Sequence, residues 1–545
     1  MRKSSFRVLW EFTSLMVLVL ALVLCVLPRK GKAIPAFSRQ YNTSCGTCHV
    51  DFPKLNDFGK AFKDAGFKFP ADDEIMMKVP PVMLGAPAQA EMWPHTIWPG
   101  KIPGLPPIGL RFNTYFQTVS RNRGNLLFAP TGSTVPAVPA TIPRTDFETG
   151  LFSIFTAGNF GSDIAFWVDD DLSVAGANAN GGLGDGYLRF VNLGRLAHLP
   201  QDSLSLRVGQ FELDLPFTQA RSINISPYDI YSQTNTGAAT LQNVNNTSSF
   251  ADAARGVEIS GGHHYRGYWY SLAVVDQDTS GVTNDSSYVP SATGASNGGI
   301  GFQSDSDFKD LYGRLAYRFN LERDKESRNA VQAATATGAR DHTAISFGTF
   351  SLYGRSVNRL IGVASDLTTP TVLTAREPFY RVGGDVNFNY HNLNLFGLYM
   401  YGHDHNLIPV DHLGVPFPVT PTAVAYVPGG PATFGGGFLQ ADYLAYPWLM
   451  VIMRYDSVNS HADFINGQTS QPGTPFFGPV SVTRNRFTPG AQFLIHANIK
   501  ASFEYQIRPG QQIAAGVNPV NPSGAPVVIP AFRTNAATAG LEFVY

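Results

Sequence analysis

"IKASFEYQIR", residues 499–508, alternates without a break. Ile499, Ala501, Phe503, Tyr505 and Ile507 fall on one face, and Lys500, Ser502, Glu504, Gln506 and Arg508 on the other. A period of two belongs to a strand, whose successive side chains point to opposite faces of a sheet. Such a strand has two homes. In a soluble protein the apolar face packs on a second layer, whereas in a membrane barrel it meets lipid and the polar face lines a wet lumen.

The same alternation, punctuated by turn residues, recurs from about residue 110 onward. It predicts sixteen strands, at 111–122, 146–161, 163–174, 184–193, 203–215, 251–263, 265–278, 308–320, 343–358, 378–392, 393–406, 434–448, 449–461, 482–498, 499–510 and 534–545. Tight connections such as "YHNLN", "YPWLM" and "HANIK" tend to alternate with long ones rich in Asn, Ser, Thr and Gly, such as 218–250 and 279–307. Short turns at one end and long loops at the other describe an outer-membrane barrel. Connection 321–342 departs from the rule, being long where a turn should be short. The final "GLEFVY" puts Leu541, Phe543 and Tyr545 on one face and resembles the closing strand of bacterial outer-membrane proteins.

Composition agrees. Charged residues are 15%, below the usual quarter, while Gly (53), Phe (39) and Tyr (22) are plentiful. A net charge of −1 leaves no basic footprint for nucleic acid. Nothing repeats at the spacing of propeller blades. The fold class is therefore mainly β, an outer-membrane barrel of about sixteen strands over residues 110–545.

The N-terminal residues point to export. Arg2, Lys3 and Arg7 precede an apolar run from Leu15 to Leu27, too short for the roughly 20 residues of a membrane span but suited to a secretory signal. Gly31-Lys32-Ala33 offers small residues for cleavage, so residues 1–33 read as a signal peptide that takes Cys25 with it. Cys45 and Cys48 then remain, in oxidising surroundings where a close pair is either a disulfide or bound to something.

They stand in "SCGTCHVDFPKLNDFGKAF", residues 44–62, as Cys-x-x-Cys-His. This is the attachment motif of c-type haem, in which two thiols take the porphyrin and the next residue, here His49, can lie under the iron as its proximal ligand. Zinc would want a fourth ligand, usually from a second cysteine pair, and a thioredoxin-like redox pair would sit beside a βαβ unit; neither is visible. The motif predicts one haem c. After it, Asp51 can cap a helix and Pro53 suits its first turn. Leu55, Phe58, Phe62 and Ala65 share a helical face, and Gly66 stops it. Residues 34–78 thus read as a small helical haem module, and the proline-rich 79–109 as a stiff connector or a segment threading the barrel.

"IPAFSRQYNTSCGTCHVDFPKLNDFGKAFKDAGF" followed by "VPP" and barrel strands resembles the fused cytochrome–porins of iron-oxidising bacteria. "GYLRFVNLG", "LRVGQFELDLPFTQAR" and "SPYDIY" are similar to stretches of that family's barrel half. The resemblance is strong over the first fifty mature residues and looser beyond. It implies an outer-membrane cytochrome acting as ferrous-iron oxidase, taking electrons from extracellular Fe(II) and passing them to a periplasmic carrier, a cytochrome c or copper protein. The motif itself leaves two other functions open: an outward electron conduit, and a porin gated by a cytochrome plug.

The iron's sixth ligand and an intake site for Fe(II) are less sharply marked. Met76 and Met77 follow the helix, Met83 lies further on, and His95 is the nearby histidine; thioether ligation would raise the haem potential relative to histidine. "GHDHN" sets His403, Asp404 and His405 at the outer end of a strand, with Asp169, Asp170 and Asp171 similarly placed on another. His263 and His264 fall at a short turn and read as surface.

Overall fold

The computed structural model describes residues 36–69, 82–83, 85–92, 101–102, 108–119, 126–128, 138–140, 145–160, 163–172, 182–218, 222–232, 253–276, 308–321, 343–364, 367–405, 407–414, 423–428, 431–460, 482–496, 498–507 and 535–545. The expected signal peptide, Met76, Met77 and His95 lie outside the described residues.

Sixteen antiparallel strands close into one barrel, each paired with its neighbours in the chain and the last with the first. They are β1 (Ile108–Val119), β2 (Thr145–Phe160), β3 (Ile164–Leu172), β4 (Gly182–Phe190), β5 (Ser205–Glu212), β6 (Ala253–His263), β7 (Arg266–Asp276) and β8 (Asp310–Asn320). The second half comprises β9 (Ala344–Val363), β10 (Pro370–Tyr390), β11 (Leu393–Asp404), β12 (Ala432–Tyr446), β13 (Leu449–Ser460), β14 (Val482–His496), β15 (Ile499–Gln506) and β16 (Ala536–Val544). Closure runs through pairs such as Phe543↔Phe112 and Leu541↔Thr114. The count and most boundaries match the sequence expectation. The β9–β10 hairpin is the exception, staying paired through Val363↔Pro370, well beyond its other neighbours. Of the 321–342 connection only Leu321 is described, its N donating to Thr343 O at 2.9 Å.

The faces are inside-out relative to a soluble sheet. On β15, Lys500, Ser502, Glu504 and Gln506 are buried, Glu504 being 5% exposed, while Tyr505 is 42% exposed. On β8 it is Leu311, Leu315, Tyr317 and Phe319 that face out. Exposed aromatics lie toward both ends, Phe160, Tyr268, Phe319, Tyr390, Tyr446 and Trp448 at the short-turn end and Phe147, Tyr353, Tyr380, Tyr401, Phe487 and Tyr505 toward the other. Apolar staves with an aromatic rim suit a lipid exterior, since amphipathic rings settle at the membrane–water interface.

The inward polar faces pair off, as in Arg207 with Glu258 (2.5 Å) and Arg314 with Asp385 (2.7 Å). Two further segments fill the lumen. Residues 213–218 and 222–232 leave β5 and cross to the opposite wall. At one side Trp269 and Tyr312 donate to Asp214. At the other, Arg454 donates to Ser226 O (2.9 Å) and Glu504 accepts from Ile225 N (2.6 Å). The 218–250 connection, expected as an outer loop, therefore begins inside the barrel, because its polar backbone finds partners there.

The second segment is the N-terminal module, residues 36–69. It carries α1 (Ala36–Tyr41) and α2 (Asp57–Asp64). Its Tyr41, Phe62, Phe67 and Phe69 cluster with Ala157, Ala165 and Val191 of the wall. Each buried phenyl contributes about 1.5–3 kcal/mol. Its polar anchors to the wall gather at the short-turn end, among them Lys54 on Asn394 and Asp442, Arg318 on Asp57, Arg189 on Lys63 O and Asn159 on Phe67 O. The connector is not uniformly extended, for Val82–Met83 pairs with Lys101–Ile102 and Pro87–Met92 forms α3.

Candidate functional site

A 3-10 turn at Cys45–Thr47 folds the motif back, Cys48 N donating to Cys45 O at 3.1 Å. His49–Asp51 then pairs with Lys54–Leu55 as a two-stranded ribbon, and α2 follows. The expected helix start at Asp51 is thus corrected to Asn56. Asp51 is buried in the ribbon's register against Lys54, so it is not there to cap α2.

Asn56 is the residue that sequence reasoning missed. Fully buried, it accepts from Gly59 N (2.9 Å) as helix cap, and its amide donates to Gly46 O (3.2 Å) and Thr47 O (3.1 Å). Its backbone N donates to Cys48 O (3.0 Å). One side chain therefore ties α2 to the Cys-x-x-Cys turn. Gly59 completes the join, since a Cβ there would collide with Cys48 O. Gly66 ends the helix at φ +79°, as expected of a glycine in the left-handed region.

Cys45 and Cys48 are free thiols, and with His49 they line one cavity of ≈ 1210 Å³ between the module and the barrel wall. Phe52, Trp167, Arg111 and His264 line it too. Burial raises both thiols, Cys48 to about 12 with the charge of Cys45 adding, and Cys45 less because Ser38 donates to it. Burial pulls His49 down to about 4, against the backbone of Pro53 and Lys54 and with Lys500 adding to the fall. Above about pH 4 the ring is therefore neutral, and its Nδ1 is buried without a hydrogen-bond partner.

His264 is corrected from surface to anchor. Its ring lies 2.7 Å from Asp64 of the module and 3.4 Å from Asp214 of the crossing segment, tilted against Trp269 at 3.7 Å between centroids. It binds both inserts to the wall. His263 stays at the rim, 3.9 Å from Asp202.

Asp169 lines the cavity, accepting from Trp167 Nε1 at 3.1 Å and from Asp185 N at 2.5 Å, whereas Met83, His403 and His405 are not on its wall. Met83 is exposed on its ribbon. His403 stacks on Tyr380 (5.1 Å) at the outer end of β11, with His405 at 5.3 Å and Asp404 closing the strand. Among the described residues, no three His, Cys, Asp or Glu side chains gather as a metal cluster.

The sequence matches no family model and no curated protein. Solved outer-membrane barrels do resemble the fold. OmpT of Vibrio cholerae covers 80% of this chain and 96% of its own, at 9% identity and TM-score 0.41. An anion-selective porin from Comamonas acidovorans gives 10% identity, 80% and 98% coverage and TM-score 0.44. OmpF of Salmonella typhi in complex with daunomycin gives 11%, 80%, 97% and 0.39. The closed sheet, inverted faces and aromatic rim decide the fold class independently of these distant likenesses. The chain is a closed sixteen-stranded barrel of outer-membrane architecture.

Proposed function

We propose that the chain holds one haem c, attached through Cys45 and Cys48 with His49 as proximal ligand, and carries electrons across the outer membrane. The observation that carries this reading is that both thiols and the imidazole of His49 line one cavity. Its volume of ≈ 1210 Å³ exceeds the roughly 300–1,000 Å³ of most small-molecule sites. The buried, partnerless Nδ1 of His49 is the kind of polar orphan that a bound group resolves. A neutral imidazole is also the form that ligates a metal.

Bound haem would supply one-electron transfer; the protein supplies placement and potential. Asn56 holds the thiol-bearing turn, the aromatic cluster shields it, and the wall anchors fix it at the short-turn mouth. Extracellular Fe(II) is the electron source we favour, with a periplasmic cytochrome c or copper protein as acceptor. His403, Asp404 and His405 at the outer mouth are retained as an iron-intake candidate, and Met76 or Met77, ahead of Met83, as sixth ligand.

Denaturing gels stained for haem peroxidase should give one band in the wild type and none in the Cys45→Ala/Cys48→Ala double variant. A band that survives both substitutions would sink the reading. The gated porin is favoured by one observation, the clasp of His264 on Asp64. A plug that releases would pass solutes into liposomes on a change of conditions, which an electron conduit need not do.

A further inference from the structure

The barrel wall sets two cations against the loop that carries His49. Lys500, near the start of β15, donates from Nζ to Phe52 O at 2.5 Å and lies 3.1 Å from Glu542 Oε2. Arg111, near the start of β1, donates from Nε to Glu542 Oε1 at 2.6 Å. Both cations sit over the Phe52 ring, Arg111 at 5.7 Å and Lys500 at 5.9 Å from its centroid. That ring stands 5.4 Å from the imidazole of His49. Lys500 and Glu542 are nearly closed off from solvent, at 5% and 12% side-chain exposure. Charges so placed act with little screening. The next ion pair along the wall, Lys54 with Asp442 at 2.6 Å, is neutral in sum. Lys500, Arg111 and Glu542 together are not, with two cations on one carboxylate, and the buried carboxyl of Asp51, which also faces Lys500, offsets part of that excess.

We propose that Lys500 and Arg111 raise the reduction potential of the group bound at Cys45, Cys48 and His49, while Glu542 holds both cations in place and partly offsets them. This rests on the reading that the group is a haem. Reduction adds an electron to the site, so fixed positive charge nearby favours the reduced state and fixed negative charge opposes it. Ferrous iron in acid is a weak reductant, and an acceptor for its electron must have a high potential. The charges that supply this belong to the barrel and not to the module, so the module acquires its working potential only when seated.

The test is a spectroscopic redox titration of full-length protein in detergent, after covalent haem has been measured in each preparation. Lys500→Met should shift the midpoint downward and Glu542→Gln upward, with Lys500→Arg close to wild type. A purely structural role would loosen the site in both variants and move both midpoints the same way, which would overturn the proposal. If Lys500→Met does not assemble, judged by the loss of heat-modifiable mobility, Glu542→Gln decides. An unchanged or lowered midpoint there refutes the proposal, and a raised one supports it. Wild type without covalent haem sinks the parent reading and this one together; haem present with unmoved midpoints sinks this one alone.

Discussion

Replacing Asn56 with Ala removes one acceptor and two donors at a position fully closed to water, leaving Gly46 O and Thr47 O without those bonds. A lost helix cap costs about 1 kcal/mol and each buried group left unsatisfied about 1–3 kcal/mol. Asn56→Ala should therefore lower module stability by roughly 2–4 kcal/mol, read as a lower denaturant midpoint for proteolysis of residues 36–69. A midpoint equal to wild type would show that the turn is held by something else. Gly59→Ala should act in the same direction, because its Cβ would strike Cys48 O. At this scale Cys45, Cys48 and His49 were legible, since their spacing is itself the signal. Asn56 was not, because Asp51 and Pro53 satisfy the same local capping rules. What chooses between them is remote: Lys54 held by Asp442, and Phe52 O held by Lys500.

Between elements, the joint of α2 with the β6–β7 turn has a defined pH range. Burial lowers the pKa of His264, but Asp64 and Asp214 outweigh it, and the net shift is upward. Burial pushes Asp64 up, but His264 and Arg189 outweigh it, and the net shift is downward. A raised histidine gives its full stability below its unfolded value, about 6.5, and loses it as pH rises through the higher folded value. A lowered aspartate gives its full stability above about 3.9 and loses it as pH falls through the lower folded value. The clasp is thus complete from about pH 4 to 6.5. Protease resistance of the module should peak in that window, and His264→Ala should remove the decline on the alkaline side. An identical pH profile in the variant would exclude the clasp as its cause. The elements themselves were legible from period-two patterning. The outer reach of β9 and β10 was not, because above the membrane a hairpin needs no apolar face and its alternation no longer marks its ends. His264 looked like surface because Asp64 is 200 residues away in the chain.

For the whole molecule, one strand's alternation fixed the architecture: polar residues turned inward on β15 require a lumen that can satisfy them. The filling of that lumen was not legible, since no local pattern records that Asn224 meets Gln440 or that Asp57 meets Arg318. With the module in the short-turn mouth and a segment crossing above it, the intact protein should pass no oligosaccharide into liposomes. Deleting residues 36–69 should raise its ion conductance in planar bilayers. Equal conductance with and without the module would show that the seal lies in the crossing segment alone.

The module's seat has a birth order. Lys500 and Glu542 stand on β15 and β16, and Arg39 reaches both Ile108 O and the ring of Tyr545 across the seam where β16 meets β1. The segment synthesised first therefore waits for the strands synthesised last. Until the sheet closes, neither the cations that face Phe52 nor the seam that holds Arg39 is in place. In the finished barrel both thiols stay partly exposed beside the wall. The seat of the Cys45–Cys48 turn is thus complete only when the last strands close on the first.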